Sequence, residues 1–509
     1  MTRQSGLSAL AFAATLTPAW ADVTPQQVWD DLTAYMNSFG YEVMAEVQSS
    51  GTALVASRVM MALPMAAGDP VGEMSLSIEK MTFEDRGDGT VLVTFPATMP
   101  INLSVDPDDG GEQVDIVIDY AQRGLQMVVS GAPDAMVYDY SADMLELTLS
   151  SLTVDGEPIS RDETRVDIMM GPVEGRTEMS RSNGIRVMDQ VFALGDLRYD
   201  MAFNDPESSE GAVLSGSLQQ LYVEGAGEIP ETMDLSDPTA VFNAGLRGTG
   251  GYSHRGGRME FSVAESTGAT SGTISTTGGE FSVGFSAEAI SYLVSSTGLN
   301  LSLSGPEIPF PVSAQMDEIG FDFMVPLQAS TTPQEAAFGV TLAGFTTAEM
   351  LWNIVDPGAV LPRDPVTLSF DLLAKVTPFI GLMDAEALAS LDDSGEMPGE
   401  LNALSLRNLV IEGVGGLITG AGEFTFDNTD LQSFDGLPRP EGELTLEVAG
   451  ANGLIDKLID MGLLAEQDAM GARMMLSMFT VPGNAPDTAS SNIVINAQGH
   501  VLANGQRIK

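Results

Sequence analysis

The chain has 509 residues, 22 Lys plus Arg against 71 Asp plus Glu, and no cysteine. Its formal net charge of −49 repels nucleic acid and anionic lipid headgroups, since both bind through clustered Lys and Arg. The absence of cysteine excludes disulfides, so a packed core must stabilise the fold. At 44% hydrophobic residues the chain is too apolar for an acidic disordered protein.

The first 21 residues have the three parts of a secretory signal peptide. Arg3 is the basic start, residues 7–16 form a short apolar stretch, and Ala19-Trp20-Ala21 matches the cleavage pattern. We therefore expect a signal peptide over 1–21, cleavage after Ala21 and a periplasmic mature chain that begins at Asp22. No later segment is apolar enough to predict a transmembrane helix.

A helix is predicted directly after the signal peptide. Thr24 and Gln27 have the spacing of a capping box, with Pro25 at the first helical position. An apolar face then follows at Val28, Leu32, Tyr35, Met36 and Phe39, and Gly40 ends the pattern.

From residue 41 the apolar pattern changes to a period of two, as in Met74, Leu76 and Ile78, with Gly-rich turns about every 12 residues. The predicted fold class is mostly β, with extended antiparallel meander sheets that form a long curved or twisted sheet. We divide the mature chain into an N-terminal β-rich region with its leading helix (22–230), a Gly/Ser/Thr-rich β region (231–330) and a C-terminal β-rich region (331–509). Alternation persists within the Gly-rich part, which predicts hairpins there.

Helical patterns return in the C-terminal region. Thr346 to Glu349 has capping-box spacing ahead of an apolar segment. A helical pair is predicted over 452–479, and the apolar stripe of its second helix needs a partner surface. That stripe consists of Ala469, Ala472, Leu476 and Phe479.

The residues needed for common catalytic sites are scarce. With two histidines, His254 and His500, and no cysteine, zinc clusters and cysteine-protease sites are excluded. The Ser77-Ile78-Glu79-Lys80 stretch has Ser-x-x-Lys spacing but lies in an alternating strand, which puts Ser77 and Lys80 on opposite faces. The stretch 251–255 resembles a nucleophile elbow but has Arg255 in place of the closing glycine. We predict no catalytic residue and no cofactor.

A cation site is the one candidate ligand site. Asp106, Asp108, Asp109 and Glu112 crowd one turn, and hard cations such as calcium bind clustered carboxylates. An acidic hairpin turn is the alternative interpretation.

Three sequence blocks resemble the alphaproteobacterial family catalogued as domain of unknown function 2125, mainly over residues 345–509. The blocks are Leu351-Trp352 with Asp356-Pro357 and residues 361–368; residues 422–427; and residues 461–464 and 472–475 with Asn504-Gly505-Gln506-Arg507. This family has no established activity, and the resemblance implies an exported β-rich protein of Gram-negative bacteria.

These observations favour a non-enzymatic envelope protein that binds an apolar, lipid-like ligand along a groove in its sheet. A structural or assembly factor that binds an envelope protein is the alternative, and a carboxylate-dependent hydrolase is a third possibility. Sheet packed on sheet, without a groove, is the competing architecture.

Overall fold

A computed structural model describes residues 22–64, 73–105, 111–205, 208–233, 238–384, 387–389 and 397–509. The predicted signal peptide and three of the four proposed cation ligands, Asp106, Asp108 and Asp109, lie outside these residues. Within them, antiparallel strands dominate, which confirms the predicted fold class.

The strands of the N-terminal half are mostly 7–13 residues long. They are β1 (Glu42–Ser50), β2 (Ala53–Pro64), β3 (Glu73–Asp85), β4 (Val91–Thr94), β5 (Thr98–Val105), β6 (Val114–Arg123), β7 (Gln126–Ala132), β8 (Ala135–Ala142), β9 (Met144–Val154), β10 (Glu157–Pro158), β11 (Thr164–Gly171), β12 (Val173–Ser182), β13 (Ile185–Ala193), β14 (Asp196–Asn204), β15 (Gly211–Leu218) and β16 (Tyr222–Pro230).

The remaining strands include the longest ones. They are β17 (Arg247–His254), β18 (Gly257–Glu265), β19 (Gly268–Thr276), β20 (Gly278–Phe285), β21 (Ala289–Ser304), β22 (Val312–Pro326), β23 (Gln334–Thr347), β24 (Val366–Pro378), β25 (Gly399–Gly413), β26 (Gly416–Asp427), β27 (Arg439–Ala449), β28 (Val481–Pro482), β29 (Thr488–Ile495), β30 (Val501–Ala503) and β31 (Gln506–Arg507).

The helices considered below are α1 (Pro25–Ser38), α2 (Pro238–Asn243), α3 (Glu349–Val355), α4 (Ala451–Asp460) and α5 (Glu466–Phe479). Thr24 and Gln27 form the predicted capping box of α1, and Thr24 N–H donates to Gln27 Oε1 at 2.9 Å. The predicted capping box before α3 is wrong. Thr346 and Thr347 still belong to β23, Ala348 is the N-cap residue, and Thr347 Oγ1 donates to the Ser313 carbonyl instead.

Most strands between β3 and β21 lie in one of two arms. The first arm pairs in the order β4, β7, β8, β12, β13, β16, β17, β20. The second arm pairs in the order β5, β6, β9, β11, β14, β15, β18, β19. Residues 82–85 of β3 pair with the first arm and residues 73–76 with the second. The arms rejoin along β21, which pairs with both β20 and β19.

The two arms are halves of one meander whose long strands each break near the middle. Only Asp143 separates β8 from β9, only Pro172 separates β11 from β12, and only Thr277 separates β19 from β20. Single backbone hydrogen bonds continue the ladder across the breaks, for example from Asp143 N–H to the Arg123 carbonyl at 2.9 Å. The breaks therefore form a crease that runs across the sheet.

From β21 to β25 each strand is long enough to span both sides of the crease. The ladder continues in sequence order through β22, β23, β24, β25, β26 and β27, and ends with β29, β30 and β31. The crease continues as irregularities such as the bulge at Gly344 of β23, whose φ of +67° is a left-handed conformation that suits glycine.

In the Gly-rich part, β18 and β19 form a predicted hairpin, and β17 and β20 pair with each other on the other side of the crease. In the same region, residues 251–255 run from β17 into a turn to β18, so the strand–elbow–helix context of a nucleophile is absent there. Ser77 and Lys80 lie in β3, as predicted, but their predicted placement on opposite faces is wrong. Ile78, Met81 and Phe83 are all buried in one core, so the alternation shifts between positions 78 and 81. This shift leaves Ser77 and Lys80 on the face away from that core.

The packed core lies at the N-terminal end of the sheet. Its cluster of buried residues joins α1 to strands β2–β5, β7, β8 and β12, with Val28, Phe83, Val129 and Tyr138 fully buried. The ring of Trp29 meets that of Phe83 edge to face, with centroids 5.8 Å apart. Beyond residue 230, buried hydrophobic side chains among the described residues are few, namely Val241, Leu327, Ala469 and Ala503.

Candidate functional site

One face of the long sheet is apolar on both sides of the crease. Side chains of directly paired residues lie on the same face of a sheet. In the first arm, one row of paired residues runs from β8 to β21 as Tyr140, Gly175, Phe192, Val223, Tyr252, Phe281 and Val294. In the second arm, a row runs from β9 to β21 as Leu147, Ile168, Tyr199, Gly216, Met259, Ile274 and Leu301.

The same face continues to the C-terminal end of the sheet. The row extends from Val294 through Phe321, Val340, Phe370, Leu409, Gly420 and Leu446. Aromatic rings contact each other along it, with centroids 5.7 Å apart for Phe321 and Phe338 and 5.6 Å apart for Phe338 and Phe370. No charged side chain occupies this face in the described strands β20–β27.

The crease keeps the apolar side chains on this one face. In β21 they occupy even positions before Gly298, at Tyr292 and Val294, and odd positions after it, at Leu299 and Leu301. An uninterrupted strand would carry positions 292 and 299 on opposite faces. The break at Gly298, where φ is +58°, therefore resets the alternation.

At the N-terminal end the apolar faces of the two arms line one cavity under α1. This 320 Å³ cavity is bounded by Met127 and Tyr140 of the first arm, Met99 and Tyr120 of the second arm, and Trp29 of α1. The sheet is therefore folded along its crease with the apolar faces inward. We call the space between them the apolar trough.

In the middle of the trough, glycines replace side chains on the apolar face. Gly225 pairs with Gly250, and Gly227 with Gly248, on neighbouring strands β16 and β17. The stacked rings of Tyr252 and Phe281 lie beside these glycines on the apolar face. The missing side chains make the trough wider here. The open concavity of 640 Å³ at this level is lined mainly by the opposite, charged face, with Arg176, Glu178, Asp189, Glu224 and Glu280.

Large apolar side chains in the trough remain accessible to solvent. Val294 is 44% exposed and Phe321 41% exposed. Eight further side chains of this face are 37–49% exposed, namely Phe203, Tyr252, Val263, Tyr292, Phe338, Phe345, Leu368 and Ile411. Because no second layer covers these side chains in the described part of the chain, the sheet-on-sheet alternative does not apply to this region.

The opposite face of the sheet carries the charges. Cross-strand ion pairs include Arg176 with Asp139 at 2.9 Å and Arg407 with Asp371 at 2.6 Å. Leu293, the neighbour of Val294, lies on this face and pairs with Asp322. The sheet is therefore sharply two-sided, with an acidic outer face and an apolar inner one.

Helices lie at both ends of the trough. At the N-terminal end, α1 packs on the apolar face and its Asp31 carboxylate is buried there. It accepts hydrogen bonds from Tyr138 Oη and from Arg186 Nη1, and forms an ion pair with Arg181. At the C-terminal end, the Phe479 carbonyl of α5 accepts a hydrogen bond of 2.7 Å from Ser491 Oγ, on the apolar face of β29.

In two of the sequence blocks that carry the family resemblance, polar side chains make defined contacts with neighbouring backbone and side chains. Asp356 is 1% exposed and accepts hydrogen bonds from the backbone N–H groups of Val360 and Leu361 and from Arg363 Nη1, at 3.0, 2.9 and 2.6 Å. The Arg363 guanidinium lies 4.5 Å above the Trp352 ring. Asn504 Nδ2 donates to the Phe479 carbonyl at 2.9 Å, which ties the C-terminal turn to α5. These contacts hold loops and helices in place.

The candidate catalytic and metal residues are not brought together. His254 Nδ1 lies 3.1 Å from the Gly256 carbonyl beside the crease, whereas His500 follows β29 at the C-terminal end. Of the proposed cation ligands the structure describes only Glu112, which is exposed. No group of three or more metal-ligating side chains occurs among the described residues.

Comparison of the chain with protein families, characterised proteins and solved structures finds no match. The resemblance to domain of unknown function 2125 therefore stays a prediction. In the described part of the chain, every helix is too short or too polar to cross a membrane.

Proposed function

We propose that this chain is a non-enzymatic envelope protein that binds the acyl chains of lipids in the apolar trough. The observation that carries this proposal is the exposed, uncharged aromatic and aliphatic face of β20–β27. Monomeric proteins rarely leave a continuous apolar surface of more than several hundred Å² open to water unless it binds something.

The shape of the trough favours long flexible chains over a compact ligand. From Tyr140 on β8 to Leu446 on β27 the apolar row crosses 13 strands. At about 4.8 Å between strands the row is about 58 Å long. One leaflet of hydrocarbon chains spans only about 15 Å. The trough therefore has room for several acyl chains in succession.

The charges favour binding through tails. The outer face is acidic and the net charge is −49, so an anionic headgroup is repelled from the protein surface. Described residues with positive charge on the apolar face, Arg181 and Arg186, are already paired with Asp31. A lipid bound by its tails would therefore keep its headgroup in water, at the open side of the apolar trough.

Two adjacent residues of β21 provide a matched test. Val294 lies in the trough and is 44% exposed, whereas Leu293 is 37% exposed on the opposite face. We expect Val294→Asp to weaken binding of a polarity-sensitive fluorescent probe, and of the fatty acid that displaces it, at least about tenfold, because it places a charge among the tails. Leu293→Asp should bind like the parent chain.

Circular dichroism of both variants establishes that the sheet is intact. Folded parent protein that binds neither probe nor fatty acid would refute the proposal. Equal binding by the two variants would place the ligand outside the trough and refute it as well.

A further inference from the structure

A second apolar surface lies on α5, at the C-terminal end of the sheet. Met470, Met474 and Met478 follow each other at one-turn spacing and are 72%, 69% and 55% exposed. Leu463, one turn before α5, is 67% exposed. We call Leu463, Met470, Met474 and Met478 the methionine face.

The methionine face points to solvent because contacts on the other side of α5 hold this helix in place. Ala469 is buried, and the Phe479 carbonyl accepts hydrogen bonds from Ser491 Oγ and Asn504 Nδ2. Arg473 of α5 forms an ion pair with Asp456 of α4. With these contacts made, α5 cannot turn its methionines inward.

The surroundings of this face are acidic. Together α4 and α5 contain four acids, Asp456, Asp460, Glu466 and Asp468, against two bases, Lys457 and Arg473. Glu466 and Asp468 flank the methionines in the first turn of α5 and have no ion-pair partner among the described residues. Negative charge around a flexible apolar surface selects against a second copy of this chain, at −49, and against an anionic membrane surface.

The geometry points to a partner protein: we propose that the methionine face binds a cationic amphipathic helix. Methionine side chains adapt to the shape of an incoming helix, whose apolar residues at three- and four-residue spacing match the one-turn spacing of the face. Basic residues along the edges of that helix would meet Glu466 and Asp468. This surface is separate from the trough and does not depend on lipid binding.

The test uses a synthetic amphipathic helix of Leu and Lys, about 18 residues or five turns long, and a scrambled peptide of the same composition. The triple variant Met470→Ser, Met474→Ser and Met478→Ser is compared with Met44→Ser, Met60→Ser and Met169→Ser. The control triple removes three exposed methionines from the outer face of the sheet. Binding is measured by fluorescence anisotropy in full-length protein at physiological salt.

We expect the amphipathic peptide to bind the parent and the control triple, and to bind the α5 triple at least about tenfold more weakly, as when hot-spot residues are truncated. Val294→Asp should bind it like the parent even if it no longer binds lipid, which separates this proposal from the previous one. Equal binding of the scrambled peptide, equal binding by both triples, or occupation of the face by a second copy or by anionic vesicles would overturn the proposal.

Discussion

Asp31 of α1 and Arg186 of β13 form an ion pair that is buried on both sides, with Arg186 Nη1 3.0 Å from Asp31 Oδ1. The two side chains are 5% and 3% exposed. They are separated by 155 positions in the chain, and their contact holds α1 against the apolar face of the first arm.

Asp31→Asn is expected to destabilise the N-terminal core by about 3–5 kcal/mol, because it leaves the buried Arg186 charge without its partner. The free energy of unfolding, followed by Trp29 fluorescence in urea, measures this effect. Asp139→Asn is the matched control. It breaks the half-exposed ion pair with Arg176 on the other face and should cost at most about 1 kcal/mol. Similar losses in the two variants would contradict a structural role for the buried pair.

Alkaline pH should destabilise the same core. Burial raises the pKa of Tyr140 to about 12, although its hydrogen bond with Thr177 opposes the shift. The unfolded chain loses this proton near pH 10, whereas the folded chain keeps it to about pH 12. Stability conferred by the neutral phenol is therefore complete below pH 10 and falls as pH rises through 12, by up to about 3 kcal/mol. Urea unfolding at several pH values should show a shallower decline in Tyr140→Phe, and an unchanged slope would contradict the assignment.

Lipid binding in the trough should exceed one molecule per chain. The length of the apolar row is about four times the thickness of the hydrocarbon layer of one leaflet. Native mass spectrometry of protein saturated with a phospholipid should therefore show adducts of two or more lipids. Phe321→Asp should reduce the maximum number, since it interrupts the row between the middle and the C-terminal end. A parent chain that stops at one lipid would show that only part of the trough binds.

The loop that follows α3 should weaken in acid. Burial by itself raises the pKa of Asp356, but the N–H groups of Val360 and Leu361 and the Arg363 guanidinium outweigh it and lower the pKa below its usual value. The stability that this carboxylate provides is present above its ordinary pKa and is lost as pH falls through the lower value of the folded state. Asp356→Asn should therefore be less stable than the parent at pH 7 and lose less stability between pH 5 and 2, as reported by Trp352 fluorescence. The exposed Asp364→Asn is the control and should follow the parent.

Local sequence patterns predicted much of this fold. The capping box at Thr24 and the alternation of Met74, Leu76 and Ile78 depend on neighbours in sequence, so α1 and most strands could be predicted from them. Thr346, the predicted cap, misled because it is still paired with Gln315 of the adjacent strand β22, which sequence spacing does not reveal.

The crease and the buried charge were missed for different reasons. The change from even to odd apolar positions between Val294 and Leu299 is visible in the sequence, and the same phase shift in many strands could have predicted a folded sheet. Asp31 gave no such signal. A carboxylate inside an amphipathic helix is normally solvated, and its burial depends on Tyr138 and Arg186 from distant strands.

The pairing of each strand with its neighbours alone has a consequence for how this protein unfolds. Each strand of the second half contacts little beyond the strands beside it, while the dense cluster around Phe83 and Tyr138 is confined to residues 23–188. Cooperativity in such quasi-one-dimensional arrays extends only as far as the interfaces between adjoining units. Denaturation should accordingly proceed as a succession of partial transitions, with the region around α1 surviving after the distal hairpins have melted.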